Sequence, residues 1–201
     1  FGALSAPAVQ ALSKGAKKAG VWMNTGEGGL SPHHLSGGAD IVFQIGTAKY
    51  GVRDGEGSIS DEKLATLAAR PEMSQGAKPG KGGILPGEKV TEEIAAIRGI
   101  PAGQSSISPN RHPEIDNVNE LLDMLNHIRD VTGKPVGFKT VIGAVGWLDK
   151  LCEAIHERGL QSAPDFIVVD GADGGTGAAP MPLMDDVGLP LREALPMLVD
   201  K

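Results

Sequence analysis

The chain has 201 residues, 40% of them hydrophobic, and a formal net charge of −6. This length allows one domain with a substantial core and lies at the lower limit for an eight-stranded α/β barrel. The acidic balance disfavours a nucleic-acid partner, and no apolar run reaches the roughly 18 residues of a membrane span. We therefore expect a single cytoplasmic domain over residues 1–201, with neither nucleic-acid nor membrane partner.

The N-terminal segment predicts a helix, a strand and a glycine loop. Ser5 is the predicted N-cap, Leu12 belongs to the apolar helical face, and Gly20 ends the helix. Residues 21–23 (Val-Trp-Met) predict a short buried strand, after which residues 24–29 (Asn-Thr-Gly-Glu-Gly-Gly) form a loop.

The next segment offers a histidine pair and a second strand. His33 and His34 begin a brief helix, but helical neighbours point about 100° apart and no third ligand follows at helical spacing, so we predict no metal site. Residues 40–46 predict a strand in which Gln44 is the one polar side chain of an apolar run. Gln44 either satisfies core backbone groups or faces a ligand. Residues 47–59 read as loop.

Two short helices flank the most glycine-rich loop, at residues 74–83 (Ser-Gln-Gly-Ala-Lys-Pro-Gly-Lys-Gly-Gly). The first helix covers residues 60–69, and the second is capped by Thr91 and carries Arg98 at its C-terminal end, where a positive charge is favourable. Residues 99–113 have no period and predict a loop.

The second half alternates helices and strands. Asn117 caps a helix that ends before Gly133. Its predicted apolar face consists of Leu121, Leu122, Leu125 and Ile128. Strands are predicted at residues 136–142 and 166–170, a helix between them at 147–158, and a last helix after Pro190. Cys152, the only cysteine, lies in the middle helix and excludes a disulfide framework.

Lys139 lies in the middle of an apolar strand. An unpaired buried ammonium is too costly, so Lys139 must reach solvent, a carboxylate or an anionic ligand. The alternation around it predicts βα units with a parallel sheet. Because glycine loops after parallel strands meet at one end of an α/β barrel, we expect a ligand site there.

Six motifs follow one another along the chain, at residues 1–5 (Phe-Gly-Ala-Leu-Ser), 24–29, 74–80, 85–87 (Leu-Pro-Gly), 107–109 (Ile-Ser-Pro) and 174–178 (Gly-Gly-Thr-Gly-Ala). Their order closely resembles the FMN-binding synthase domain of glutamate synthase, over nearly the whole chain. Several motifs in one order are specific, whereas a single glycine loop is weak. The resemblance implies the N-terminal and central part of a TIM (β/α)8 barrel, a piece of a longer protein.

The resemblance further implies an FMN cofactor, with Lys139 near the flavin pyrimidine edge as the predicted catalytic residue, stabilising negative charge on the reduced ring. The implied cofactor-binding residues are Ala3, Leu4, Ser5, Asn24, Gln44, Lys139, Gly174 and Gly175. An iron–sulfur cluster and the loops for the FMN phosphate are expected only in a C-terminal part beyond this sequence.

The implied reaction reduces 2-iminoglutarate, formed from 2-oxoglutarate and ammonia, to L-glutamate with hydride from reduced FMN. The implied substrate-binding residues are Gln75, Lys78, Arg98, Ser108 and Asp173. Lys78 and Arg98 match family positions associated with the two carboxylates, and two cations suit a dicarboxylate. The implied partners are a 2-oxoglutarate-like keto acid and an electron-donor protein or domain.

Two positions depart from the family pattern. Ile84 stands where the family has Gln among its substrate contacts, which leaves the keto acid open. Residues 112–114 (His-Pro-Glu) replace a more regular run of histidines and acid in a loop that faces substrate in the family.

Other functions stay open beside this one. The alternatives are another FMN-barrel oxidoreductase that acts on a different keto or hydroxy acid, and a non-catalytic fragment. A hydroxy-acid oxidase requires a His base beside an Arg, and an IMP dehydrogenase relative requires a cysteine in a loop. The sequence has neither arrangement. Since an open partial barrel would expose apolar edges, we also expect a homo-oligomer.

Overall fold

A computed structural model describes residues 1–68, 83–109, 111–171 and 188–201. The helices in these ranges are α1 (Ala6–Ala19), α2 (Pro32–Leu35), α3 (Asp61–Ala68), α4 (Glu92–Arg98), α5 (Val118–Thr132), α6 (Gly146–Arg158) and α7 (Leu191–Val199). The strands are β1 (Met23–Asn24), β2 (Ile41–Val42), β3 (Ile84–Leu85), β4 (Ser106–Ile107), β5 (Phe138–Val141) and β6 (Ile167–Asp170). Single 3₁₀ turns lie at Gly87–Lys89 and Leu160–Ser162.

Local capping chemistry sets the helix boundaries. The Thr91 hydroxyl and the Asn117 side-chain carbonyl each accept a hydrogen bond from the amide three residues further on, at 3.3 and 3.0 Å. Gly20 and Gly133 adopt left-handed backbone conformations after α1 and α5, with φ of 69° and 62°. These boundaries confirm the predicted caps and stops, because such conformations suit glycine and satisfy the last carbonyls of a helix.

The sheets are small and of two kinds. β1 pairs with β2, and β5 with β6, both in parallel. α2 lies between the first two strands and α6 between the second two, so both pairs are βαβ units, as predicted. β3 and β4 pair antiparallel. The described residues thus form a mixed α/β fold with three separate two-stranded sheets, and they do not close a barrel.

The predicted burial near the N-terminus is wrong at three positions. Val21 and Trp22 are 55% and 56% exposed, and only Met23 of that run is buried. The Val21 amide binds the carbonyl of Ala16 at 3.0 Å, so this residue belongs to the end of α1 and not to β1. Leu12 is 54% exposed, which leaves it outside the buried face of α1.

Two strand boundaries also differ from prediction. In the predicted strand 40–46, only Ile41–Val42 pairs with a neighbour, although residues 43–46 are buried. Within the predicted loop 99–113, Ser106–Ile107 pairs with β3. A two-residue strand carries no periodic pattern of its own, so only the contact with the distant partner identifies it.

The main hydrophobic core joins α3, α5, α6 and β5. Its buried side chains are Phe43, Ile45, Val52, Leu64, Leu122, Leu125, Ile128, Val136, Phe138, Leu151 and Ala154. The predicted apolar face of α5 is confirmed, with Leu121 partly buried at its edge. None of the helices in the described ranges combines the length and apolar character that crossing a bilayer requires.

Replacing a side chain at the centre of this core tests the packing. We expect Leu122→Ala, at a fully buried position, to lower the free energy of unfolding by about 2–5 kcal/mol because it leaves a cavity. The matched control is Leu160→Ala, at a side chain that is 76% exposed, where the change should stay within about 0.5 kcal/mol. Urea unfolding measures both; equal shifts would contradict this description of the core.

Candidate functional site

Arg98 is buried at the C-terminal end of α4, where the N-terminal segment meets it. Its side chain donates from Nη2 to the carbonyl of Phe1 at 3.2 Å. The guanidinium carbon lies 4.8 Å from the centre of the Tyr50 ring, which is a cation–π distance. Arg98 is only 8% exposed. It is therefore a cation enclosed by protein, and not the solvated charge that favours a helix end.

The charge on Arg98 has no carboxylate partner among the residues that the structure describes. Its Nε is buried without a hydrogen-bond partner in the same ranges. A buried guanidinium with an unused donor is costly unless an acceptor reaches it. Arg98 therefore keeps one guanidinium donor, Nε, without an acceptor in the described part of the chain.

The first glycine loop lies directly against Arg98. A Cβ on Gly28 would come within 2.8 Å of the Phe1 carbonyl and 3.2 Å of Arg98 Nη2, which is too close for any side chain. Asn24, at the end of β1, accepts a hydrogen bond from the Gly26 amide at 2.7 Å and turns the chain into this loop. The glycines therefore permit a close approach of this loop to Phe1 and Arg98.

A second close approach joins this loop to Gly46, in the segment after β2. A Cβ on Gly46 would lie 2.6 Å from Cβ and 2.8 Å from Oε2 of Glu27. The other carboxylate oxygen of Glu27 lies near Gly83, 3.2 Å from where its Cβ would be. The Glu27 carboxylate thus lies between Gly46 and Gly83, the last residue of the glycine-rich segment 74–83.

Buried polar contacts tie the loop after β2 to the loop after β4. Lys49 forms an ion pair with Glu114 and donates to the carbonyl of Gly57 at 3.2 Å. The Thr47 hydroxyl donates to the carbonyl of Pro109 at 2.6 Å. Two segments more than 60 residues apart in sequence are therefore held together at the site.

Ser108 and His112 lie in the second of these loops. Ser108 is 2% exposed, and its amide donates to the carbonyl of Gly83 at 3.2 Å. His112 is buried, and its Nδ1 has no partner within the described part of the chain. Burial, followed by the positive charge of Lys49, lowers the pKa of His112 below its ordinary value. The imidazole is therefore neutral at pH 7.

Glu114 keeps its charge beside this histidine. Burial acts to raise the pKa of Glu114, but the hydrogen bond from Lys49 and the charge of Lys49 outweigh it, and the pKa is lowered. The loop therefore presents an ionised carboxylate to Lys49 at neutral pH.

Lys139 reaches a carboxylate, one of the three partners that its position allows. Its ammonium pairs with Asp170, and the Lys139 side chain is 27% exposed. Lys139 lies within β5, and Asp170 ends the neighbouring parallel strand β6. The ion pair accounts for the charge in the strand, and the predicted catalytic role stays a prediction.

Gln44, which lies two residues past β2, and Lys139, on β5, each follow a phenylalanine of the main core, Phe43 and Phe138. Since side chains alternate along a strand, Lys139 lies on the face of β5 opposite Phe138. Gln44 is 7% exposed, and its amide nitrogen in the backbone donates to the Thr25 hydroxyl at 3.0 Å.

The remaining predicted site residues are divided between exposed and undescribed positions. Ala3, Leu4 and Ser5 precede α1 in exposed backbone, so β1, and not this segment, is the first strand. Ile84 is half exposed on β3. The predicted residues that lie outside the described ranges are Gln75, Lys78, Asp173, Gly174 and Gly175.

His33 and His34 have separate partners. His33 contacts Gln10 through Nδ1 at 3.2 Å and Glu93 through Nε2 at 2.9 Å. His34 Nδ1 lies 3.0 Å from the amide and 2.8 Å from the hydroxyl of Ser31. Among the described residues, no group of three or more His, Cys, Asp or Glu side chains is arranged to hold a metal.

Sequence reasoning missed Glu27, Thr47, Lys49 and Glu114 as parts of this arrangement. The one usable signal was Lys49, which stands in a mostly apolar run (Ala-Lys-Tyr-Gly-Val) and needs a partner by the same argument as Lys139. Its partner lies in a distant loop, which no local pattern identifies.

Comparisons with known proteins identify the family of this chain. A family profile described as "Conserved region in glutamate synthase" matches residues 1–201. The chain therefore belongs to the glutamate synthase family. It is 47% identical over 206 residues to a glutamate synthase large subunit-like protein, YerD, of Bacillus subtilis, covering 98% of this chain and 39% of that protein.

Archaeal-type relatives are also similar. The chain is 39% identical to the archaeal glutamate synthase [NADPH] of Methanocaldococcus jannaschii and 37% identical to the archaeal-type glutamate synthase [NADPH] of Thermotoga maritima. Each match covers 97% of this chain and 36% of the relative. The chain thus spans well under half the length of the curated relatives it matches.

The buried imidazole of His34 predicts a pH-dependent stability. Desolvation lowers its pKa from 6.5 to about 4. The unfolded chain therefore takes up a proton before the folded chain does, so stability is complete above about pH 6.5 and is lost as the pH falls towards 4. We expect a loss of about 2–3 kcal/mol over this range, measured by urea unfolding at several pH values.

The variant His34→Gln keeps an acceptor for Ser31 but does not titrate, so it should flatten this dependence. Leu122→Ala is the control for loss of packing, because it removes a buried side chain that does not titrate and should lower stability by a similar amount at each pH. A His34→Gln profile as steep as the wild type would contradict the assignment.

Proposed function

We propose that this chain is the N-terminal and central part of an FMN-dependent glutamate synthase domain. In this proposal 2-iminoglutarate, formed from 2-oxoglutarate and ammonia, is reduced to L-glutamate. Membership of the glutamate synthase family supports the general activity. The observation that carries the proposal within the site is Arg98, a buried cation with an unused donor and no carboxylate partner in the described ranges.

Arg98 would bind a carboxylate of the keto acid. A guanidinium suits this role because its planar donors match a carboxylate, and burial strengthens the interaction. Ser108, with its backbone fixed on Gly83, would contribute a second contact. Lys78, Gln75 and Asp173 are proposed as further substrate contacts on the grounds of the family resemblance alone.

The donor groups of the chain fit a flavin. Lys139 would hold negative charge at the pyrimidine edge, and Gln44 is proposed, on the grounds of the family resemblance, to hydrogen-bond that edge. Gly26, where a Cβ would meet no atom within 4 Å, leaves open space beside the first loop. When bound, reduced FMN supplies the hydride for the reduction.

Backbone amides complete the proposed flavin site. Asn24 and the segment Ala3, Leu4 and Ser5 are proposed to contact the flavin, as are Gly174 and Gly175. Asp170 would reduce the positive charge that Lys139 presents to the flavin ring, because its carboxylate forms an ion pair with the same ammonium.

The residues do not fit an iron–sulfur cluster. Such clusters are held by several cysteine thiolates, and Cys152 is the only cysteine in these 201 residues. We therefore propose that electrons come from an electron-donor protein or domain outside this sequence. We also propose that residues 1–201 form one cytoplasmic domain, a partial TIM barrel whose open edges favour self-association.

We expect Lys139 to affect FMN binding and Arg98 to affect substrate binding. A titration with FMN tests the role of Lys139. In a titration followed by flavin fluorescence quenching, Lys139→Met should weaken FMN affinity about 10-fold, the value of one charge-assisted contact. Lys201→Met is the matched control, because Lys201 also pairs with an aspartate, Asp149, but at the surface. Absence of saturable FMN binding both by this chain and by a longer chain that carries the expected FMN-phosphate loops would overturn the flavoenzyme proposal.

Substrate binding tests Arg98. We expect Arg98→Gln to weaken 2-oxoglutarate binding, measured by calorimetry, by about 10- to 100-fold because a charged hydrogen bond is lost. Arg158→Gln, which removes an ion pair with Asp123 between α5 and α6, controls for loss of stability. Wild-type affinity in Arg98→Gln would exclude Arg98 from the substrate site. Tighter binding of another keto acid would redefine the substrate.

A further inference from the structure

Lys49 has an unusual backbone conformation. With φ of 52°, it is the one non-glycine residue in the left-handed region among the residues described. This conformation is strained for a long side chain and persists only where the surroundings hold it. Lys49 is also 2% exposed, so water neither solvates its ammonium nor stabilises its backbone conformation.

The contacts of the Lys49 ammonium keep the residue in this backbone conformation. Lys49 Nζ pairs with the carboxylate of Glu114 and donates to the Gly57 carbonyl at 3.2 Å. A buried ammonium needs such partners to offset its desolvation. Because Glu114 neutralises it, Lys49 is not available to bind a substrate carboxylate, in contrast to Arg98.

The Lys49–Glu114 ion pair contacts the loop after β4, and two further hydrogen bonds also hold this loop in place. The Thr47 hydroxyl binds the carbonyl of Pro109 at 2.6 Å, and the Ser108 amide binds the carbonyl of Gly83 at 3.2 Å. Ser108 therefore lies between the loop that carries Lys49 and the end of the central glycine-rich loop. His112, whose buried Nδ1 has no partner in the described ranges, lies between Ser108 and Glu114 in sequence.

We propose that Lys49 and Glu114 are positioning residues for the substrate loop. Their ion pair holds Ser108 against Gly83 and orients His112 in the same loop. This inference rests on the proposed function, in which Ser108 contacts the keto acid. It deepens that function by assigning residues that act through the loop without touching the substrate.

The test variant removes the charge of the Glu114 carboxylate and keeps the shape of its side chain. Glu114→Gln leaves the Lys49 ammonium without its carboxylate. We expect the Ser108 amide to exchange with solvent about 10-fold faster, because its hydrogen bond to Gly83 opens more often. We expect the KM for 2-oxoglutarate to rise about 10-fold while kcat changes less than about 2-fold, since the displaced loop affects binding more than chemistry.

The matched control is Asp116→Asn. Asp116 pairs with Arg111 near the same loop, but both side chains are 64% exposed, so exchange at Ser108 and KM should stay at wild-type values. Lys49→Arg retains a cation for Glu114 and should keep KM within about 3-fold of the wild type. The double variant Lys49→Met with Glu114→Gln removes both charges and should recover stability but not KM, which separates positioning from folding.

Two results overturn the inference. One is a Glu114→Gln variant with the same Ser108 exchange as Asp116→Asn, and the other is faster exchange with an unchanged KM. Failure of the wild-type protein to bind 2-oxoglutarate would instead overturn the proposed function. In that case faster exchange at Ser108 in Glu114→Gln would still support the role of the pair in fixing the loop, and unchanged exchange would overturn it.

Discussion

The burial of one guanidinium constrains much of the described structure. Arg98 is desolvated at the end of α4, so a carbonyl from Phe1 and the ring of Tyr50 must surround it. The charge is tolerated only because these groups replace water. Close packing also requires glycine at positions 2 and 28, where a Cβ would come within 3.0 and 3.2 Å of the guanidinium. One buried charge thus joins the N-terminus, the first glycine loop and α4.

Polar contacts between distant segments complete the arrangement. Short strands give the described sheets few backbone hydrogen bonds, so buried side chains connect the loops that follow them. Lys49 and Glu114 form the clearest example. Lys139 and Asp170 form a partly exposed pair between the neighbouring strands β5 and β6. Arg98 differs from both lysines because its charge has no carboxylate partner among the residues that the structure describes.

The distinction between paired and unpaired cations connects the family assignment to particular residues. The proposed function takes a dicarboxylate and a flavin as ligands, and the described residues supply a buried cation without a carboxylate partner, Arg98, and a partly exposed lysine on a strand, Lys139. The central glycine-rich loop ends at Gly83, beside Glu27 and Ser108. The proposed site therefore lies where glycine permits close approach and buried charge provides affinity.

Local sequence patterns were enough to predict the helices, because caps such as Thr91 and Asn117 and the apolar face of α5 depend on residues a few positions apart. They also indicated the family and the need of Lys139 for a partner. The fold was needed to identify Asp170 as this partner, to show that Trp22 is exposed, and to bring Lys49 to Glu114. Those outcomes depend on contacts between residues far apart in sequence, whose burial no local period specifies.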